Sequence, residues 1–149
     1  MNNLFEAEDA VGILLRLSKL HPRSTPLWGK MNVAQMMAHC QVPIEVALGE
    51  KELKRTFVGF VFGGIAKRQI ISDKPIKKSL PTDPSFVVTG ERDFYHEFET
   101  LENRIKRFAG ADPSEVASRK HPFFGKMSSE EWGILNWKHL DHHLRQFGV

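Results

Sequence analysis

Cysteine and long hydrophobic runs are both scarce in this sequence. The only cysteine among 149 residues is Cys40. A single thiol cannot form a disulfide within the chain, which excludes a disulfide-rich secreted scaffold. The longest apolar run, residues 57–66, contains three glycines and is far shorter than the roughly 20 apolar residues that cross a bilayer. The N-terminal stretch is acidic, where a secretory signal is basic and then apolar. We therefore expect a cytoplasmic protein with no membrane partner.

Positive charge is concentrated in one segment. The net charge of the chain is +3, but residues 51–78 hold eight Lys or Arg against Glu52 and Asp73, so this segment carries +6. Such a segment suits nucleic acid, an anionic lipid surface or an anionic small molecule, and the alternative is a solvated face. No recognition motif and no interleaved aromatic residues accompany the charges. We therefore expect a solvated face and no nucleic-acid partner.

Length and composition predict one soluble domain over residues 1–149. The chain is long enough to bury a sizeable core and has no shift in composition that would mark a second domain. Its 41% hydrophobic and 26% charged residues are ordinary for a globular protein.

The stretch SSEEWGILNWKHLDHHLRQFG, residues 128–148, predicts one long helix. Ser128 and Glu131 match a capping box at its start. Gly148 stands where a left-handed residue ends a helix. The apolar positions between these signals define an inward side of the helix.

Three histidines lie on this helix. At about 100° per residue, with His139 at zero, His143 lies at about 40° and His142 at about −60°. His139 and His143 thus share the apolar side, where two imidazoles one turn apart can bind one transition-metal ion. Paired helical histidines are also common as surface or hydrogen-bonded core residues. Gln146, at about −20°, is a candidate to contact a metal-binding residue or a substrate, and the alternative is an exposed residue at the end of the helix. His142 is placed to form a hydrogen bond at the site or to line it.

A second predicted helix carries a further candidate ligand. It opens at a capping box of Asn32 and Gln35. His39 lies at the edge of its apolar stripe and can point inward, either as a ligand or as a buried, hydrogen-bonded core residue. Pro43 removes the helical hydrogen bond to the carbonyl of His39, so we expect a kink or a looser turn there. Cys40 is predicted to be a small core residue.

Two further amphipathic helices, residues 6–20 and 91–108, complete the pattern. Residues 50–90 read as an irregular, basic segment in which Gly59 and Gly63 indicate close packing or flexibility. His121 is predicted to be a loop residue and not a ligand. These elements predict an all-α four-helix bundle with an irregular basic segment between its second and third helices and a metal in or at the end of its core.

Two blocks, MNVAQMMAHC and HPFFGKMSSEEWGILNWKHLDHHLRQFG, resemble the DinB/YfiT-like superfamily of metalloenzymes. Within it they resemble a bacterial family of unknown function that ends in an HLDHHLRQFG-type signature. The resemblance implies a four-helix bundle, often a homodimer, in which three histidines bind zinc or nickel. The matching positions here are His39, His139 and His143. It also implies relatives that are S-transferases and isomerases dependent on low-molecular-weight thiols.

Three neutral imidazoles leave open positions on a metal, which is typical of catalytic and not structural sites. With no anionic protein ligand, the ion would keep its full charge and either lower the pKa of a bound water toward about 7 or bind a substrate thiolate. We expect a metal-dependent enzyme acting on a small molecule, with hydrolase placed before thiol S-transferase. The alternative from another class is a non-catalytic bundle that uses its metal for stability or sensing.

Overall fold

The computed structural model of the chain describes residues 1–54, 57–78 and 84–149, apart from the side chains of Val58, Phe60, Phe62 and Ser85. These ranges contain six α-helices, one 3₁₀ turn and one two-stranded hairpin. The prediction of an all-α bundle is therefore confirmed. No helix in the described ranges is both long enough and apolar enough to span a membrane.

The helices are α1 (Ala7–Leu17), α2 (Val33–Leu48), α3 (Phe57–Ile70), α4 (Phe94–Ala109), α5 (Pro113–Ser118) and α6 (Ser129–Gln146). Strands β1 (Lys120–His121) and β2 (Gly125–Lys126) pair antiparallel just before α6, and Pro84–Phe86 forms the 3₁₀ turn.

Four of these helices, α1, α2, α4 and α6, form the bundle. Both α1 and α2 contact α4 and α6, so each helix has two neighbours in a closed ring. Their apolar faces supply the core, in which Trp132 and Phe108 are among the largest fully buried side chains. Helix α5 packs against α6 and α2, and α3 packs against β2.

The predicted caps are present at the helices that carry the candidate ligands. Asn32 and Gln35 exchange side-chain and backbone hydrogen bonds at the start of α2, and Ser128 and Glu131 do the same at the start of α6. Gly148 has φ 76°, as expected for the residue that ends a helix. These caps fix the register in which the histidines face the core.

One boundary of the predicted helices differs. Helix α1 ends at Leu17 and not at residue 20, because the backbone tightens into turns in which Lys19 and Leu20 donate to carbonyls three residues earlier. Helix α2 contains Pro43 and continues to Leu48, and the kink or looser turn expected at Pro43 stays a prediction.

The prediction of an irregular segment between the second and third predicted helices is wrong in one respect, because this segment contains helix α3. Glycines lower helix propensity, which hid this helix in the sequence. Here they allow close packing: a Cβ on Gly63 would clash with the carbonyl oxygen of Phe123 in the β1–β2 connection. The predicted close packing of the glycine pair is confirmed at Gly63.

A lysine on α6 holds the end of α3 in place. Lys138 is 7% exposed, and its Nζ donates to the carbonyl oxygens of Ile70, Ser72 and Lys74, each at 2.6 Å. A cation is favourable there because the last carbonyls of a helix lack helical partners. The basic segment is therefore fastened to α6 beside the histidines.

Candidate metal centre

Helices α2 and α6 bring three histidines together. His39 and His143 are buried and His139 is partly exposed, and each offers one ring nitrogen to a group whose atoms lie within 4.8 Å of one another. The three pairs of ring centroids are 4.7–4.8 Å apart. The residues predicted as ligands thus converge on one point in the described part of the chain, and three buried or half-buried imidazoles could hold a metal ion there.

The closest ring nitrogens have a spacing that suits one ion. Nε2 of His39 lies 3.0 Å from Nε2 of His139. Two imidazole nitrogens bound to the same tetrahedral zinc, each at about 2.0–2.1 Å, are roughly 3.3–3.4 Å apart. A small outward shift of either ring therefore brings this pair to ligand geometry.

Hydrogen bonds to the other ring nitrogens fix the tautomers of two histidines. Nδ1 of His39 lies 2.8 Å from the carbonyl oxygen of Phe86. A carbonyl only accepts, so Nδ1 carries the proton and Nε2 keeps its lone pair. This is the usual arrangement behind a metal-binding histidine.

Gln146 plays the same part for His143. Its Nε2 donates to the carbonyl oxygen of Trp28 at 2.7 Å, which turns its Oε1 toward Nδ1 of His143 at 2.8 Å. Nδ1 of His143 is therefore the donor, and Nε2 is left for a ligand. Gln146 is 4% exposed, so the alternative of a solvent-exposed residue is excluded.

We predict that Gln146→Leu lowers metal affinity about 10- to 100-fold, because His143 loses the partner that sets its tautomer and ring orientation. A competition titration with a coloured zinc chelator measures the change. Gln146→Glu separates the two hydrogen bonds of this residue, since a carboxylate still accepts from His143 but cannot donate to the carbonyl oxygen of Trp28. Unchanged affinity in the leucine variant would show that Gln146 does not orient His143.

Burial keeps all three rings neutral. Burial lowers the pKa of His143 to about 3 and, with the neighbouring imidazoles, holds the pKa of His139 well below its ordinary 6.5. Burial also lowers the pKa of His39, against a smaller rise from its bond to Phe86. Neutral imidazole is the form that binds metal, so at neutral pH no proton has to be displaced.

His142 lies beside this group and not in it. Its ring is edge-on to Trp28 and to His143, with centroid separations of 5.8 and 5.0 Å. Burial lowers its pKa, while a hydrogen bond with the backbone of Ile76 raises it. It therefore borders the site, next to the segment held by Lys138.

No carboxylate joins the three histidines among the described residues. The nearest acid on the helix, Asp141, is paired with Arg16 at 2.7 Å and with Arg145 at 2.9 Å, and so ties α6 to α1. Cys40 is also outside the group. It is buried in the core as predicted, its Sγ lies 3.7 Å from the sulfur of Met36, and burial raises the pKa of its thiol.

His121 is placed differently from the prediction of a loop residue. It lies in β1, is 6% exposed, and its ring stacks on Phe124 with centroids 4.5 Å apart. Its Nδ1 accepts from the backbone N–H groups of Phe123 and Phe124 at 3.1 Å. Burial lowers its pKa to about 4. The sequence HPFFGK is compatible with a tight turn between two strands, and this hairpin was not predicted.

Two further polar groups on α6 were not predicted. Nε1 of Trp132 and Oδ1 of Asn136 are buried without a hydrogen-bond partner in the described part of the chain. Both residues lie on the same side of α6 as His143, at about 20° and 60° on the helical projection. A polar residue on an otherwise apolar helix face was the available signal at Asn136.

The fold and the histidine group define an all-α bundle with a site that could hold one metal ion. The chain belongs to a family described as "Protein of unknown function (DUF1569)", whose sequence model matches residues 4–148. No curated protein and no solved structure matches it significantly.

The assignment to the DinB/YfiT-like superfamily is wrong. The family that matches nearly the whole chain is the one of unknown function, and no comparison places the chain in that superfamily. The misleading signal was the pair of blocks MNVAQMMAHC and HPFFGKMSSEEWGILNWKHLDHHLRQFG, which contain His39, His139 and His143. Similar groups of histidines can occur on unrelated helical bundles. The expectations that came only from the resemblance, a thiol cosubstrate and a homodimer, lose that support.

Proposed function

We propose that the protein is a metal-dependent enzyme that acts on a small molecule, with hydrolysis as the reaction. One observation carries the proposal: three imidazole nitrogens converge within 4.8 Å, and no carboxylate or thiol of the described residues joins them. Three neutral ligands leave at least one position of a divalent ion free for water or substrate. A structural site usually fills all four positions with protein ligands.

The ligand set favours a divalent transition metal, with zinc or nickel first. Imidazole suits these ions, whereas magnesium and calcium prefer oxygen ligands. Bound there, such an ion supplies Lewis acidity, which polarises a carbonyl or phosphoryl oxygen or acidifies water. The chain itself orients His39 and His143 through Phe86 and Gln146.

His139 is the least buried residue of the three, although its ring is desolvated by its surroundings. An enzyme requires that small molecules approach the metal from this side. No observation favours thiol S-transfer over hydrolysis. An experiment must also distinguish the enzyme from a non-catalytic bundle that uses its metal for stability or sensing.

We predict about one zinc or nickel ion per chain in protein prepared without a metal-affinity tag. Elemental analysis measures the content, and cobalt substitution makes the open position visible. Azide or imidazole should shift the cobalt spectrum, because an open site accepts an exogenous ligand. Reconstituted protein should hydrolyse members of a panel of small esters, amides and phosphoesters, assayed with and without added thiols.

The outcomes separate the classes. Protein that retains no transition metal would overturn the proposal. A cobalt spectrum that ignores azide and imidazole would assign the metal to a closed, non-catalytic shell. Activity that appears only with added thiol would replace hydrolysis by thiol transfer.

A further inference from the structure

Helix α3 exposes a row of large apolar side chains. Phe57 is 81% exposed, Val61 50% and Ile65 72%. They are spaced four residues apart, so they lie along one side of the helix. Exposed apolar residues scattered singly need no explanation, but a continuous row on one helix marks an interaction surface. We call these three residues the α3 row.

The opposite side of α3 is the side that packs on the protein. Gly63 approaches the Phe123 carbonyl too closely to admit a side chain, and Lys67 pairs with Glu131 at the start of α6, 3.0 Å away. On the helical projection Val61 and Ile65 lie about 160° from Gly63. The packing of the glycine side therefore holds the α3 row outward.

Positive charge accompanies the row. Arg68 is exposed and projects between Phe57 and Val61 on the same side of the helix. Lys54 is exposed three residues before α3 in the sequence, and Lys74 and Lys77 are exposed in the segment that follows it. The whole segment 51–78 carries a net charge of +6.

These charges and the size of the row argue against a second copy of the chain as its occupant. Two copies meeting at α3 would bring two +6 segments together, and like charges that face one another across an interface are unfavourable. Three side chains also cover far less than the roughly 800 Å² per partner that a stable dimer buries. A surface that needs no shape complementarity and is negatively charged fits better.

We propose that α3 docks the protein on an anionic lipid surface, with the α3 row in the acyl boundary and the surrounding lysines and Arg68 among the headgroups. An amphipathic helix binds in this way by burying its apolar face about 5–10 Å deep. Basic side chains near an anionic leaflet strengthen the binding. This replaces the expectation of no membrane partner and does not depend on the proposed metal chemistry.

Vesicle co-sedimentation tests the proposal on the full chain. The protein should bind phosphatidylcholine vesicles that contain phosphatidylglycerol, and bind them less as salt rises. Ile65→Asp should weaken binding by about tenfold or more, and Arg68→Glu should weaken it through charge. Leu15→Asp is the matched control, because Leu15 on α1 is 61% exposed and its replacement changes the net charge equally.

Each result decides the proposal. Failure of the unaltered chain to bind the anionic vesicles overturns it, as does equal loss of binding in Leu15→Asp and Ile65→Asp. A dimer in solution that Ile65→Asp converts to a monomer would assign the α3 row to a second copy and also overturns it. Circular dichroism shows whether the variants remain folded. Metal content, measured in parallel, keeps this outcome separate from that of the proposed function.

Discussion

Replacing His143 by alanine is expected to lower the affinity for zinc by more than about a hundredfold, beyond the effect of losing an outer partner. The substitution removes a buried imidazole whose tautomer is set by Gln146. Only two imidazoles would then remain to bind the ion. His39→Ala should do the same, since it removes the only contribution of α2 to the group. Competition with a coloured chelator measures both affinities.

His142→Ala is the matched control for this prediction. His142 adjoins His143 in sequence, but its ring lies outside the convergent group, so this variant should keep its metal. Metal at a hundred times its dissociation constant should stabilise the unaltered chain and His142→Ala by about 2.7 kcal/mol, and stabilise His143→Ala far less. If His142→Ala lost its metal and His143→Ala retained it, His142 and not His143 would be the ligand.

The helices that carry the site could be predicted because their signals are local. A capping box needs only residues three apart, and those at Asn32 and Ser128 fix where α2 and α6 begin. Once a helix begins at a known residue, its 3.6-residue period decides which side chains share a face. That is why His143 could be placed on the core side and His142 outside it.

Gln146 could be named as a candidate contact, but the carbonyl groups behind the site could not be predicted, because they come from distant parts of the chain. His39 is held by a carbonyl at Phe86, and Gln146 by one at Trp28. Every residue has a backbone carbonyl, so residue type does not indicate which carbonyl accepts these hydrogen bonds. The same holds for Lys138, whose three acceptors are backbone oxygens of the segment after α3.

Helix α3 and His121 were misread for a related reason. The glycines of α3 look like breaks when only propensity is considered, and they become an advantage once Phe123 packs against Gly63. His121 lies in a strand of only two residues, which is too short to show a period. In both cases tertiary contact outweighs the local preference.

Acid is expected to destabilise the metal-free protein between about pH 6.5 and pH 4. His121 and His143 have pKa values lowered by burial to about 4 and about 3, against an ordinary 6.5. In this window the histidines bind protons in the unfolded chain but stay neutral in the folded chain. The free energy of unfolding therefore falls as the pH falls. From pH 7 to pH 5 each residue costs about 2 kcal/mol, or about 4 kcal/mol for both. That is a large share of the 5–15 kcal/mol that holds a typical domain together.

Urea unfolding of the metal-free chain at pH 7 and pH 5 measures this loss, and His121→Phe identifies one source of it. The phenyl ring keeps the stacking on Phe124 and Trp132 but cannot bind a proton. The variant is expected to be less stable at pH 7, because two backbone N–H groups lose their acceptor. Its further loss from pH 7 to pH 5 should be smaller by about 2 kcal/mol. His96→Gln, which removes an exposed histidine of α4, is the control. An unaltered pH dependence in His121→Phe would mean that His121 is not held neutral in the folded protein.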